Sequence, residues 1–233
     1  MKRLFSVLFL LLSLPLQAEW KTLAPGLDYD SRPEFSAHVF RVDPSKFQIG
    51  LLTASDFSEK ALTAGDYRSR ARAILAVNGG FFDEAFRAMG LLYRDGKTLN
   101  PLRNAAWGVF SITAGTVGGA KILHRNDWPP KGVSMALQVG PRLVVDGMVQ
   151  KFKEAAPDRR SAVGVTEGGK VVIAVADKPM LLPEWAAFLK KDCPNALNLD
   201  GGSSTQIAAE VGGWTLNVEG LTAVPNAVAV FPR

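Results

Sequence analysis

One short apolar run ends abruptly in polar residues and glycines. The run at 196–199 precedes Asp200, and Gly201, Gly202 and the hydroxyl residues 203–205 follow it. A run of this length is typical of a buried β-strand, and consecutive glycines allow a tight turn after it. The stretch therefore predicts a strand that carries Asp200 to the rim of a sheet, where open sheets bind ligands.

A second stretch repeats this pattern. The apolar run at 74–77 is too short for a helix, and it ends in Asn78, Gly79 and Gly80, followed by Phe81 and Phe82. Polar groups at strand ends and on the loops behind them often carry function. We expect the two strand ends to contribute to one site.

Turn signals divide the rest of the chain into short strands. They lie at 43–46, 94–96, 114–119, 140–142 and 146–147. The pattern predicts hairpins that pair 37–42 with 47–53, 91–93 with the segment after Lys97, 107–113 with 121–123, and 136–139 with 143–145. The predicted fold is α+β: a strongly twisted, largely antiparallel mixed sheet, or partial barrel, with a few packing helices.

The last third of the chain predicts a strand, a helix and a strand. A β-branched run at 170–176 is followed by a helical pattern at 183–191, in which Trp185, Phe188 and Leu189 share one face. Pro183 suits the first turn of that helix, and a further short helix is expected at 66–73. Short connections make the flanking strands parallel, so Asp177 and Asp200 would end neighbouring or near-neighbouring strands at the same edge.

Residues 1–18 have the composition of a secretory signal peptide. Lys2 and Arg3 precede an apolar core at 4–14 and the small-residue segment 15–18. This core is too short to span a bilayer comfortably, although an uncleaved anchor is the alternative interpretation. We expect a single domain over 19–233, exported to the periplasm or the extracellular space, without stable membrane insertion after cleavage.

The net charge and the single cysteine argue against nucleic-acid binding and against an intramolecular disulfide. The formal charge of +5 falls to +3 without Lys2 and Arg3, and no basic stripe interleaved with aromatic residues is present. Nucleic acid is therefore not an expected partner. Cys193 is the single cysteine, so no intramolecular disulfide is expected, and we interpret it as a small buried residue behind the 196–199 strand.

Four stretches, 78–82, 136–143, 160–164 and 199–204, lie in this order along the chain. Together they resemble the phosphodiester glycosidase family, also called the DUF2233 or NAGPA domain, and the resemblance spans roughly residues 35–231. It implies an α+β domain that hydrolyses a sugar 1-phosphodiester to the free sugar and a phosphomonoester. The chain departs from many members after the strand that ends at 176, because Lys178 and Pro179 follow Asp177. Asp177 is therefore given no family role.

The resemblance and the chemistry together select the candidate residues. The candidate catalytic residues are Asp200, Arg160 and Asn78. The candidate substrate-binding residues are Gly79, Gly80, Phe82, Gln138, Gly201, Gly202, Ser203 and Ser204.

The chemistry of a phosphodiester explains the need for a cation and a carboxylate. Cleavage at the sugar carbon adds charge to the departing phosphate while the ring becomes oxocarbenium-like. Arg160 offers a planar fork for two phosphate oxygens, and the amides of 201–204 could form an anion-binding nest. The alternative for Arg160 is a surface ion pair with Asp158 or Glu154.

Asp200 is the best candidate carboxylate, as a nucleophile, a base or an orienting group. Its alternative is a structural cap that accepts the amides of Gly202 and Ser203. Asn78 does not titrate, so it is expected to bind substrate hydroxyls or to brace Asp200. Because phosphate leaves readily, a second carboxylate is not required, and Asp83 and Glu84 are the candidates if one is used.

Gln138 and the two phenylalanines have alternatives of equal weight. Gln138 either binds substrate or is a buried structural amide. One of Phe81 and Phe82 is expected in the core and the other as a platform for a sugar.

Two other classes of function have weaker support or remain open. A serine hydrolase lacks the Gly-x-Ser-x-Gly spacing, and the two histidines, His38 and His124, are remote in sequence from Ser203. No cofactor is expected, but Asp200 with Asn78 or Asp83 leaves a divalent cation such as Ca²⁺ or Mg²⁺ open. The expected partner is a sugar phosphodiester or an anionic glycan. The main alternative function is a non-catalytic periplasmic or wall-associated protein that binds such a glycan.

Overall fold

The computed structural model describes residues 20–113, 119–129, 131–153 and 156–233. The expected signal peptide lies outside the described residues. In chain order the strands and helices are β1 (Lys21–Ala24), β2 (Leu27–Arg32), β3 (Ala37–Val42), β4 (Phe47–Thr53), α1 (Ala64–Arg70), β5 (Leu75–Asn78), β6 (Leu92–Arg94), β7 (Lys97–Asn100), β8 (Gly108–Thr113), β9 (Ala120–His124), β10 (Val133–Val139), β11 (Arg142–Val145), β12 (Met148–Val149), β13 (Asp158–Val165), β14 (Val171–Met180), α2 (Leu182–Lys190), β15 (Asn195–Asn198), β16 (Ile207–Val211), β17 (Trp214–Val218) and β18 (Asn226–Pro232).

These strands form three sheets, and neighbouring strands within each of them are antiparallel. The first sheet has eight strands in the order β1-β2-β3-β14-β13-β15-β11-β12. The second has the order β7-β6-β10-β8-β9, and the third has the order β17-β16-β5-β18-β4. The fold is α+β and mostly sheet, and none of the three sheets closes, which confirms the predicted class. The prediction of one mixed sheet is replaced by three antiparallel ones.

The three sheets share one apolar core. Fully buried side chains from each sheet meet there, including Phe40 from the first, Leu137 from the second and Val77 from the third. The opposite face of the first sheet is covered by α2, and the opposite face of the third is covered by α1. Burial on both faces explains the continuous apolar runs at 75–77 in β5 and 171–176 in β14.

Three of the predicted chain reversals are hairpins. β6 pairs with β7 across Asp95 and Gly96, which both have positive φ angles of 50° and 80° as a type I′ turn requires. β8 pairs with β9, although residues 114–118 of their connection lie outside the described residues. β11 pairs with β12 across Asp146 and Gly147.

Two other predicted pairings are wrong. The turn at 43–46 forms, but β3 pairs with β2 and β14 in the first sheet, whereas β4 pairs with β18 in the third. Likewise β10 belongs to the second sheet and β11 to the first. In both cases the turn sends the chain from one sheet to another, which local turn chemistry does not distinguish from a hairpin.

The strand-helix-strand unit has the predicted arrangement. β14 and β15 are both antiparallel to β13, which lies between them, so they are parallel to each other. α2 buries Trp185, Phe188 and Leu189 as expected. α1 begins two residues earlier than predicted because Thr63 caps it, accepting the amide of Asp66 at 3.1 Å. Across the described ranges, neither helix is long and apolar enough to cross a bilayer.

Cys193 fills the space behind the first sheet, as the sequence predicts. It is fully buried, and burial raises the pKa of its thiol. Its Sγ lies 2.4 Å from the position that a Cβ on Gly164 would occupy, and its Cβ lies 3.0 Å from the same point. Gly164 is thus required by the close approach of Cys193 to β13.

We expect Gly164→Ala to destabilise the fold by about 1–3 kcal/mol, because overpacking a filled core displaces its neighbours. Urea unfolding monitored by circular dichroism measures this loss. Adding Cys193→Ala should restore part of it by removing the sulfur. A double variant no more stable than Gly164→Ala alone would contradict the proposed clash.

Candidate active site at the ends of β5 and β15

The buried amide of Asn78 joins the two predicted strand ends. Its Nδ2 donates to the backbone carbonyl of Asp200 at 2.7 Å. Its Oδ1 accepts from Ser161 Oγ at 2.7 Å and from the amide of Gln206 at 3.2 Å. The backbones also meet, because the amide of Asp200 donates to the carbonyl of Gly79 at 3.0 Å. Asn78 therefore braces Asp200; its predicted contact with substrate stays a prediction.

Asp200 is a half-buried carboxyl with a perturbed pKa. Burial raises the pKa of Asp200, and hydrogen bonds from Ser204 and from the amide of Gly201 oppose that rise. The amide of Gly201 donates to Oδ1 at 3.0 Å, so Asp200 does cap its own turn. A raised pKa brings a carboxyl closer to the range of a useful acid or base.

Asp158 is a second carboxylate at this turn that the sequence analysis did not select. Its Oδ2 lies 2.8 Å from the position that a Cβ on Gly202 would take, and its negative charge adds to the rise in the pKa of Asp200. The pairing of β13 with β14 shifts in register between Asp158 and Arg160, at the start of β13. In sequence, Asp158 is only an acidic residue before two arginines, and no local signal marks it.

Arg160 lies at the same turn, held by backbone carbonyls. Its side chain is buried, with Nε donating to the carbonyl of Met180 at 2.9 Å and Nη2 to that of Ala156 at 3.3 Å. Its Nη1 lies 3.9 Å from the position of a Cβ on Gly201. Burial lowers the pKa of Arg160, opposed by the charge of Asp158.

Arg160 and the carboxylates of this turn are near each other without being paired. Among the described residues, neither Asp158 nor Asp200 lies within salt-bridge distance of its guanidinium. Glu154, the other expected ion-pair partner, lies outside the described residues.

The amides of residues 201–204 form the predicted nest only in part. The amide of Gly201 is bound to Asp200, and that of Ser204 donates to the carbonyl of Gly201 at 3.1 Å. Gly202, at φ 61°, and Ser203 begin a short 3₁₀ turn, and their amides donate to no described residue. Two donors rather than four are therefore available to an anion. The carbonyl of Ser203 accepts the amides of Leu221 and Thr222.

Gln138 is a fully engaged buried amide. Its Oε1 accepts the amides of Leu91 at 3.2 Å and Arg103 at 2.8 Å, and its Nε2 donates to the carbonyl of Arg103 at 3.0 Å. It fixes the loop that carries Arg103 and Trp107, and the Arg103 guanidinium lies 5.5 Å from the Trp107 ring centroid. These contacts match the interpretation of Gln138 as a buried structural amide. Its role toward substrate stays a prediction.

Gly79 and Gly80 are closely packed, and the two phenylalanines that follow them contact different parts of the protein. A Cβ on Gly79 would meet Asn226, and one on Gly80 would lie 3.1 Å from Leu137. Phe81 packs on the shared core and on Trp107, whereas Phe82 packs against the α1 cluster and stacks on Phe86. Both phenylalanines are partly buried. A substrate role for Phe82 stays a prediction.

The oxygens proposed as cation ligands are engaged elsewhere. Asn78 Oδ1 accepts two hydrogen bonds, and Asp83 binds within its own loop, accepting the amides of Ala85 and Arg87. Within the described part of the chain, no three acidic, histidine or cysteine side chains cluster as metal ligands would.

The fold is an α+β architecture in which the ends of β5 and β15 meet, with Asp200 and Arg160 at the turn that follows β15. A family model for phosphodiester glycosidases, NAGPA, matches residues 71–231. The chain therefore belongs to the phosphodiester glycosidase family, as the resemblance predicted.

The chain is similar in sequence to one curated protein and in fold to several solved structures. An uncharacterised Escherichia coli protein, YigE, is 24% identical over 190 residues, covering 73% of this chain and 74% of YigE. The catalytic domain of zebrafish N-acetylglucosamine-1-phosphodiester α-N-acetylglucosaminidase, auto-inhibited by its pro-peptide, superposes with a TM-score of 0.69 at 18% identity, covering 95% of this chain and 85% of that one.

Two further structures share the fold. A hypothetical protein from Synechocystis has a TM-score of 0.65 at 16% identity; the match covers 93% of this chain but only 61% of the Synechocystis chain. A candidate exported protein from Burkholderia pseudomallei has a TM-score of 0.64 at 14% identity, covering 88% of this chain and 74% of that one.

We expect Asp200→Asn to stabilise the protein at neutral pH. The pKa of Asp200 is raised in the folded state. Its contribution to the free energy of unfolding is therefore fully present below the pKa of the unfolded state, and it is lost as the pH rises through the pKa of the folded state. Asn keeps the acceptor for the Gly201 amide but carries no charge. Thermal melts from pH 3 to 8 should show a gain in Tm at pH 7 that vanishes at acidic pH; a pH-independent difference would contradict the assignment.

We expect Asp158→Asn to lower the pKa of Asp200, because it removes the negative charge that opposes ionisation. Carboxyl ¹³C shifts followed by NMR against pH measure this. Asp95→Asn is the matched control, since it removes an exposed carboxylate from a distant hairpin turn. An unchanged Asp200 titration would show that the two carboxylates do not interact.

Proposed function

We propose that the protein is an exported hydrolase that cleaves a sugar 1-phosphodiester in a cell-envelope or extracellular glycan. The products are a free sugar and a phosphomonoester. One observation carries the proposal: Arg160 Nη1 and the carboxyl of Asp200 both lie at the Gly201 turn without forming an ion pair with each other. Such a site offers a cation and a carboxylate to opposite ends of one scissile bond.

Arg160 binds the phosphate in this proposal. Two of its nitrogens are held by carbonyls of Met180 and Ala156, so the guanidinium is oriented before substrate arrives. The amides of Gly202 and Ser203 supply further donors. Preorganised donors stabilise the charge that develops on the departing phosphate, and each is typically worth a factor of about 10²–10³ in rate.

Asp200 acts on the sugar side as the general base. It removes a proton from water as the water oxygen bonds to the anomeric carbon. The bond from that carbon to the phosphate oxygen breaks, and its electron pair leaves with the phosphomonoester. A carboxyl with a raised pKa is a stronger base than an exposed one, which supports this role. Asn78 holds the backbone of Asp200 in place during the reaction.

Export and the absence of a cofactor are part of the proposal. The signal-peptide pattern of residues 1–18 supports export, and one structural relative is described as a candidate exported protein. The zebrafish relative is named for its action on an N-acetylglucosamine 1-phosphodiester, which supports the substrate class. We propose that the reaction needs no cofactor.

We expect Arg160→Lys to lower turnover by about 10²-fold or more while the Tm changes little, because lysine keeps the charge but loses the planar fork. Release of N-acetylglucosamine from an aryl phosphodiester of that sugar measures turnover. A large loss of stability with near-normal specific activity would instead make Arg160 a structural residue.

The same assay tests the proposed function itself. Wild-type protein should release free sugar and aryl phosphate, and Asp200→Asn should lower the rate by at least about 10²-fold. The panel should include glucose and mannose 1-phosphodiesters. Failure to cleave any of them, with measurable binding of an anionic glycan, would favour a non-catalytic binding protein.

A further inference from the structure

A cavity of about 530 Å³ is lined in part by Asn226, whose side chain accepts the amide of Gly80. Its lining includes Phe86, Leu99, Asp56, Arg94, Asn100 and Asn226. This volume falls within the range of roughly 300–1,000 Å³ that is typical of small-molecule sites. Its lining combines an aromatic ring, an aliphatic side chain and planar polar groups.

Phe86 lines this cavity. Its ring stacks on Phe82, with ring centroids 5.5 Å apart and planes inclined by 12°. The side chain is 37% exposed, and its backbone has a φ of 60°, which is unusual for a bulky residue. Asp83 holds this conformation by accepting the amides of Ala85 and Arg87, both at 2.9 Å. The loop thus maintains an exposed aromatic face at a strained position.

The charged residues of the cavity are almost all neutralised. Arg94 forms a two-pronged pair with Asp56, at 2.6 and 2.7 Å. Glu59 pairs with Arg70, and Arg87 pairs with Asp83. Among the described residues, Lys60 is the one charged lining residue without a salt bridge. A phosphate group would therefore find little uncompensated positive charge here.

An uncharged polar molecule with one apolar face fits these surroundings. The ring carbons of a pyranose present C–H groups on one face, which can pack on an aromatic ring, while its hydroxyls need donors and acceptors at the edge. Asn100 lines the cavity with its Nδ2 donating to the carbonyl of Gly90 and its Oδ1 bound to no described residue, and the Asp56–Arg94 pair adds further polar atoms. We propose that this cavity binds a neutral pyranose ring stacked on Phe86, as an accessory sugar subsite.

The subsite is connected to the candidate active site through Asn226. The Oδ1 of Asn226 accepts the amide of Gly80 at 2.7 Å, and its backbone carbonyl accepts that of Gly79 at 3.0 Å. The carbonyl of Gly79 in turn accepts the amide of Asp200. A glycan longer than one sugar would occupy both. This link to a longer substrate rests on the proposed function, whereas binding of the sugar does not.

Saturation-transfer difference NMR tests the subsite with three uncharged probes: methyl α-glucoside, N-acetylglucosamine and its β-1,4-linked trimer. Wild-type protein should transfer saturation to the ring protons of at least one probe. Phe86→Ala should reduce that transfer at least several-fold, and Phe86→Trp should retain it. Phe86→Gly provides a second truncation that also relieves the positive φ, so the loss can be separated from a loop that fails to fold.

Two controls separate this proposal from the proposed function. Leu221→Ala alters an apolar side chain that is 81% exposed outside the cavity, and it should leave binding unchanged. Asp200→Asn should also leave sugar binding by this subsite unchanged, while turnover of the small aryl substrate is lost. Absence of saturation transfer to all three probes, or transfer that survives both Phe86 truncations, would overturn the subsite.

Discussion

The candidate site depends on one buried amide. Asn78 is the point where β5, β13 and the segment before β16 meet the Asp200 turn, and each of its side-chain atoms is hydrogen-bonded. Buried polar groups left without partners cost about 1–3 kcal/mol, so all of these elements must keep their relative positions at once. The position of Asp200 is therefore set by the packing of two sheets rather than by its own loop.

Arg160 and Asp200 both lie at the Gly201 turn, and among the described residues they form no ion pair with each other. Arg160 satisfies two of its donors with backbone carbonyls, and Asp200 accepts from its own turn. Direct pairing would neutralise both groups and lower the pKa of the carboxyl. In the proposed reaction, keeping them separate leaves the positive charge of Arg160 for the phosphate and keeps the carboxyl of Asp200 basic.

The sequence predicted the ends of individual strands better than their partners. Asn78 and Asp200 were found because a short apolar run followed by glycines is a local signal. The pairings of β3 with β4 and of β10 with β11 were wrong, because a turn reverses the chain whether or not the next strand stays in the same sheet. Asp158 was missed for a related reason. Its proximity to Asp200 depends on the pairing of β13 with β15. That pairing brings together parts of the chain that are distant in sequence.

The position of β18 has a consequence for the order in which the protein assembles. This strand lies between β4 and β5, which precede it by well over 100 residues and do not pair with each other. Until β18 is synthesised, the edges of β4 and β5 that pair with it stay unpaired. Unpaired strand edges are prone to pair with other chains. Asn226, at the beginning of β18, also supplies the contacts that hold Gly79 and Gly80. β18 is synthesised after the other described strands, so a nascent chain holds its candidate catalytic residues before Asn226 can position the Gly79–Gly80 turn.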